Sequence, residues 1–394
     1  MTAFGRRLLD EWSLDPDVTY LNHGTVGATP VRVLAEQRRI QDLIERNPSR
    51  FLLRELSAIR VGSPLDTPGR LRRAADEVGA FVGAAGQDLA FVDNTTTGVN
   101  AVLRSLDLRP GDEILIADLA YGAILNAARY AAREQDARVV RVETPDPAAG
   151  GEAIVGAFER ALSPRTRIVI VDHVTSATAL VLPLAAIADG CRSRGILVLA
   201  DGAHAPGAIA LDITSLGVDF YVANLHKWAW APRSCGILWA APAHQAWLHP
   251  PVISWGLDTG FTTEFDWVGT RDPSPFLAAP AAIALMQEFG VDRVRAYNHA
   301  LAWDAGRYLA TRWQTPLDVP ESMVGSMITV PLPGSLGSTD EDAARLRDAL
   351  LFDDNIEVQI HAWRGRLWAR VSAQIYNDFA DIERLGNAVA ARTP

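Results

Sequence analysis

The chain has 394 residues, of which 48% are hydrophobic and 21% charged, and carries a net charge of −10. That mix excludes disordered and collagen-like chains, and two cysteines exclude a disulfide scaffold. The acidic balance argues against nucleic acid or an anionic membrane as partner.

A chain this long buries roughly three quarters of its unfolded surface and is expected to form two or three domains. Met1 to Arg7 lacks the apolar core of a secretory signal. The longest apolar run, Ala177 to Ala188, is broken by Pro183 and is too short for a bilayer, so a cytoplasmic protein is expected.

In chain order, candidate strands are Leu89–Val92, Glu113–Ala117, Val139–Val142, Arg167–Asp172, Ile196–Ala200, Phe220–Ala223 and Gly236–Ala240. They are rich in Val, Ile and Leu, as strands covered on both faces are. Amphipathic stretches lie between them: Gly98–Leu106, Ala123–Ala132, Gly151–Leu162 and Leu184–Arg194. Breakers such as Arg109-Pro110-Gly111-Asp112 separate the units. This alternation predicts an α/β fold with a mostly parallel seven-stranded sheet.

After Asp272 the texture changes. Helices are predicted at Ala281–Phe289, Val291–Trp313, Glu341–Leu351 and Phe379–Ala391, with strands at Met327–Val330, Glu357–Ile360 and Leu367–Ser372. This α+β tail reads as a smaller C-terminal domain. The expected division is a large domain over 17–272 and a small one made of 1–16 plus 273–394.

Of the 37 Lys+Arg residues, every one but Lys227 is arginine. Arginine keeps its charge but cannot become a nucleophilic amine, so a position that needs one must keep lysine. Lys227 sits in Asn224-Leu225-His226-Lys227-Trp228, which is neither a P-loop nor a kinase strand lysine.

The other informative residues fall just past strand ends, where ligands of open α/β sheets gather. The run ending at Ala200 leads into Asp201-Gly202-Ala203-His204, and that ending at Val92 into Asp93-Asn94-Thr95-Thr96-Thr97. A carboxylate after a buried strand calls for a cation or proton donor. A hydroxyl-rich helix start offers free N–H groups to an anion. An anion cradle, a strand-end carboxylate and one amine are what pyridoxal phosphate needs: for its phosphate, its ring nitrogen and its aldehyde. A metal site for hydrolysis, built from Asp172, His173, Asp201, His204 and His226, is the reading from a different class, and it leaves Lys227 without a role.

These residues resemble the class V aminotransferase family of PLP fold type I enzymes, in particular its isopenicillin N epimerase-like members. The likeness runs from Tyr20-Leu21-Asn22-His23-Gly24 through Asn94-Thr95-Thr96, Asp201-Gly202-Ala203-His204-Ala205-Pro206-Gly207 and His226-Lys227-Trp228 to Gly269-Thr270-Arg271-Asp272 and Arg370-Val371-Ser372. The resemblance implies Lys227 as Schiff-base lysine and proton carrier, Asp201 as pyridinium partner, Ala203 on one ring face and His204 on the ring hydroxyl. It implies Thr95, Thr96, Asn224 and His226 as phosphate ligands, with Thr270 reaching in from a second subunit of a homodimer, and Tyr121 stacking on the ring. It implies Arg370 as the grip on the substrate carboxylate.

Within that family the branch is open. The stretch before Arg370 has no cysteine, which argues against a persulfide-forming desulfurase. An epimerase needs a second acid, for which His23, Tyr121 and His173 are candidates, with His23 also expected to touch substrate. A C–S β-lyase acting on a cysteine conjugate or sulfoxide needs none, only a leaving group at Cβ, and an aminotransferase is a further alternative. Trp228, Trp230, Trp255, Trp363 and Trp368 either line a pocket for a bulky side chain or simply pack.

Overall fold

The computed structural model describes residues 3–57 and 68–393. Its strands are β1 (Thr19–Tyr20), β2 (Leu89–Val92), β3 (Glu113–Ala117), β4 (Arg138–Val142), β5 (Thr166–Asp172), β6 (Leu197–Asp201), β7 (Phe220–Asn224), β8 (Gly236–Ala240), β9 (Met327–Pro331), β10 (Ile356–Glu357), β11 (Gln359–Trp363) and β12 (Arg366–Ser372).

Seven of them form one sheet in the order β2-β8-β7-β6-β5-β3-β4. All pairings are parallel except the two that β8 makes with β2 and β7. Period-2 alternation builds two cores from single strands. On β5, Ile168 and Ile170 join the cluster of Ile114, Ile116, Leu199 and Val222. Val169 and Val171 join that of Leu115, Val198 and Ile237 on the opposite face. Helices Thr95–Ser105 and Gly122–Glu134 cover the first face. One expectation is corrected here: β4 is an edge strand, so Arg138 and Arg141 are exposed rather than covered on both faces.

The second sheet, β11-β12-β9, is antiparallel. It packs with Val291–Trp313, Asp340–Asp354 and Phe379–Ala390 around Leu309, Val330, Leu350, Val371 and Leu385. Asp378 and Thr339 begin two of these helices with capping boxes. The strand expected over 357–360 is two strands. β10 pairs with β1 and β11 pairs with β12, so the segment changes partner at Val358. That pairing ties the N-terminal segment to the C-terminal region, and Asn22 bridges to Ser372 beside it. The helix Ala279–Phe289 buries Ala282, Ile283 and Met286 in the cluster that includes Phe91 and Ile237. Among the described residues, no helix is long and apolar enough to cross a membrane.

Candidate active site

The carboxyl ends of β2, β3, β5, β6 and β7 open on a cavity of about 550 Å³, closed on its other side by β11 and β12. It is lined by Thr95, Thr96, Tyr121, Asp201, Ala203, His204, Asn224, His226, Lys227 and Arg370. Ten of the expected site residues thus converge from segments far apart in sequence. His23 and Thr270 are not among the lining residues.

The anion cradle is built locally. Asn94 caps the helix Thr95–Ser105 by accepting from the Thr97 N–H, and the Thr95 N–H donates to Asn224 Oδ1 at 2.9 Å. The helix therefore starts at Thr95, not Gly98, placing both threonines in its first turn. Gly98 allows this turn to sit against β7, because a Cβ there would lie 2.7 Å from Val222 Cγ1. The Thr95 hydroxyl is buried without a partner. His226 Nδ1–H donates to the Cys235 carbonyl at 2.9 Å, which leaves Nε2 as the free ring nitrogen. Burial and then the neighbouring Lys227 and Arg233 charges pull His226 down to about 4.

Asp201 closes β6, and its Oδ1 accepts from the Ala203 N–H at 2.9 Å. Burial raises it to about 6, against the pull of Lys227. Beside it in register on β5 lies Asp172, which also lines the cavity and is pushed well above the carboxylate range by burial and by Asp201.

Lys227 sits beside His204 and Trp228. Trp228 Nε1–H can only donate, and it points at His204 Nδ1 at 3.3 Å. A neutral His204 then carries its proton on Nε2, which lies 3.2 Å from Lys227 Nζ. With that tautomer the lysine accepts as the free amine, whereas a protonated lysine donates to a bare Nε2. Burial, and then the Arg370 charge, bring Lys227 down to about 8.

Arg370, on β12, is buried, and among the described residues no carboxylate pairs with it. Its Nη1 donates to the Ser176 carbonyl at 2.6 Å and its Nη2 to Thr25 Oγ1 at 2.7 Å, while Nε has no partner. Burial lowers it to about 10. A desolvated cation without a counter-ion is a site for an incoming anion.

Other expectations resolve differently. His23 lies behind the cavity, its ring nitrogens bonded to the Tyr376 hydroxyl (2.9 Å) and the Lys227 carbonyl (3.0 Å). It braces the lysine loop. His173 bonds the Tyr221 hydroxyl and does not line the cavity. Four of the five residues of the metal reading line the cavity, but they do not bring three ligand atoms together: among the described residues only His249, Asp258 and Glu264 place three within 4.8 Å of one another. Cys191 and Cys235 are buried, their thiols pushed upward by desolvation. None of the five tryptophans lines the cavity. Trp363 and Trp368 line a separate one of about 180 Å³, and Trp255 is exposed. Thr270 is exposed on the chain's own surface.

Four polar cavity residues carry no signal in the sequence patterns above: Thr25, Ser176, Gln359 and His361. The last two flank the core residue Ile360 at period 2, an alternation masked by a strand boundary placed too early.

A model of the aminotransferase class-V family matches residues 68–385. The chain belongs to the class V aminotransferase family. An isopenicillin N epimerase of Streptomyces clavuligerus is 32% identical, with 99% of this chain and 98% of that protein covered. A putative L-cysteine desulfhydrase of Oryza sativa subsp. japonica is also 32% identical, covering 94% of this class V chain and 82% of the relative. Among solved structures, the cystine C–S lyase C-DES with its product cysteine persulfide superimposes with a TM-score of 0.78 at 22% identity, covering 96% of this chain and 98% of that one. This class V protein thus has the PLP fold type I and is a pyridoxal phosphate enzyme. The donor set suits that cofactor: hydroxyls and a helix start for a phosphate, a strand-end carboxyl, and a buried amine.

Proposed function

We propose that this class V enzyme is an amino-acid epimerase of the isopenicillin N epimerase kind. One observation carries the choice. In the sheet order β7-β6-β5-β3, Lys227 follows the strand on one side of Asp201, and Tyr121 follows a strand on the other. Of the three candidate second acids, Tyr121 alone lines the cavity. Inversion at Cα requires proton carriers on opposite faces of the substrate, and we assign those faces to these two flanks.

Bound pyridoxal phosphate supplies an electron sink that acidifies the Cα–H bond of an amino acid. Thr95, Thr96, Asn224 and His226 hold its phosphate, Asp201 its ring nitrogen, and Ala203 and His204 its ring. Arg370 grips the substrate α-carboxylate through charged hydrogen bonds. Lys227 Nζ, as the free amine, takes the Cα proton. Tyr121 delivers a proton from the other flank. We assign Thr270 to the cavity of a second subunit, and the exposed Val252, Ile253 and Trp255 to the contact between subunits.

A second reading, C–S β-elimination, draws support from the desulfhydrase relatives and uses every residue above except Tyr121. Holoenzyme incubated with an amino-acid panel in deuterated water separates the two. Deuterium at Cα in both configurations supports epimerisation, with Tyr121→Phe expected to keep exchange while losing inversion. Pyruvate and ammonia from cysteine or cystine, with no inversion of any amino acid, would overturn it in favour of the lyase. A keto acid would point to transamination.

A further inference from the structure

Beyond Arg370, the face of β12 and β11 that looks into the cavity carries two further polar side chains. Gln359 is the cross-strand partner of Arg370, and His361 that of Trp368. Period 2 puts Gln359 and His361 on one face, with Ile360 turned into the core of the small sheet. Both line the cavity.

His361 is anomalous. Both of its ring nitrogens are shielded from water, and neither has a hydrogen-bond partner. The other histidines in and behind the cavity, His23, His173, His204 and His226, each hold at least one. Orphaned buried polar atoms cost about 1–3 kcal/mol each, so they persist where something else meets them. The residue as a whole is only part-buried. A half-turn of the imidazole about Cβ–Cγ exchanges nitrogens for carbons with no change of outline, so the ring's donor and acceptor can take either side of it.

We propose that His361, together with Gln359, is the specificity-determining edge of the site, reading an uncharged hydrogen-bonding group on the substrate side chain. This rests on the reading of the site as one that removes a Cα proton from an amino acid.

The chemistry of the group follows from charge. Among the described residues Arg370 is the only arginine lining the cavity, and the substrate α-carboxylate uses it. His361 stays neutral at physiological pH, because burial and then the Arg370 charge bring it down to about 4. Gln359 is neutral at any pH. A neutral imidazole and an amide each offer a donor and an acceptor, which match an amide, hydroxyl or thiol. A second carboxylate would enter a desolvated site with no second arginine to meet it. The site therefore favours amino acids with neutral polar side chains over their dicarboxylic isosteres.

The test uses holoenzyme and α-methyl amino acids, which bind but have no Cα proton to lose, so that affinity is separated from turnover. Cofactor absorbance is titrated with α-methylglutamine and α-methylglutamate. The wild type should bind the amide at least tenfold more tightly (~1.4 kcal/mol). His361→Phe should lose most of that preference, His361→Gln should retain part of it, and His361→Arg should turn it toward the acid. Unchanged absorbance and thermal midpoint of each variant without ligand certify its fold. Equal affinities in the wild type, or a preference unmoved in a folded His361→Phe, would overturn the proposal. Failure of Cα exchange across the whole panel in deuterated water would instead sink the underlying reading of the reaction, whatever the titrations show.

Discussion

Arg370→Gln is the most informative single change, because one geometry gives it three consequences. The guanidinium bonds Ser176 and Thr25 but no carboxylate, so removing it strands no buried anion in the protein. Breaking a buried ion pair costs about 3–5 kcal/mol; here the cost is that of neutral hydrogen bonds, about 1–2 kcal/mol, and Gln can remake one of them. A chain of this size should therefore lose only a few degrees in Tm. Substrate loses a charged contact worth about 1.5–3 kcal/mol, which lowers kcat/KM by about 10- to 150-fold.

The third consequence concerns Lys227. Burial is the larger cause of its lowered pKa and Arg370 the next, while Asp201 opposes them. Removing the arginine must raise it. Because Lys227 is the chain's sole lysine, apo-protein labelled with [ε-13C]lysine gives a single resonance whose titration reads this group directly. We expect a midpoint near 8 in the wild type and a clear upward move in Arg370→Gln. A wild-type midpoint at the ordinary lysine value, or an unmoved midpoint in the variant, would refute the claim that the cavity prepares the amine.

The same contacts predict further outcomes. A lysine whose folded pKa lies below its unfolded value binds fewer protons when folded, so apo-protein stability should rise with pH between about 8 and 10.5. Lys227→Met should abolish that rise and, at pH 7, stabilise the apo form by up to about 2–3 kcal/mol in chemical denaturation. Gly27 has φ +71, and a Cβ there would lie 1.9 Å from the His226 carbonyl oxygen. Gly27→Ala should therefore displace the lysine loop, costing more than the roughly 1–2 kcal/mol of backbone strain alone and most of the activity. Asn224→Ala removes the acceptor for the buried Thr95 N–H, so it should cost about 1–3 kcal/mol in denaturant and weaken pyridoxal phosphate binding measured by absorbance. Iodoacetamide should leave Cys191 and Cys235 unmodified in the native protein, as read by intact mass, because both thiols are buried and held protonated.

Much of the site was legible in the chain because its residues belong to strand ends, and strand ends are local features. Apolar runs stop at Val92, Ala200 and Ala223, and the polar residues next in the chain must lie at the rim of the sheet. The lone lysine and the capping threonines were readable for the same reason: amine chemistry and helix starts depend on residue type and near neighbours. Arg370 could be named only by resemblance, since a strand arginine is ordinarily solvated. Its meaning comes from burial without a counter-ion, which sequence does not record.

The seven strands, their helical crossovers and the position of the reactive amine were determined by the sequence alone, because hydrophobic period and breakers act over a few residues. The tertiary structure alone decided which way each histidine faces. His23 and His173 look as reactive as His204 in the chain, yet their rings are spent on Tyr376, the Lys227 carbonyl and Tyr221. It also brought Gln359 and His361 into the cavity that Lys227 lines, through a change of strand partner at Val358. Ring orientation and cross-strand register are set by partners far away along the chain, and no local pattern encodes them.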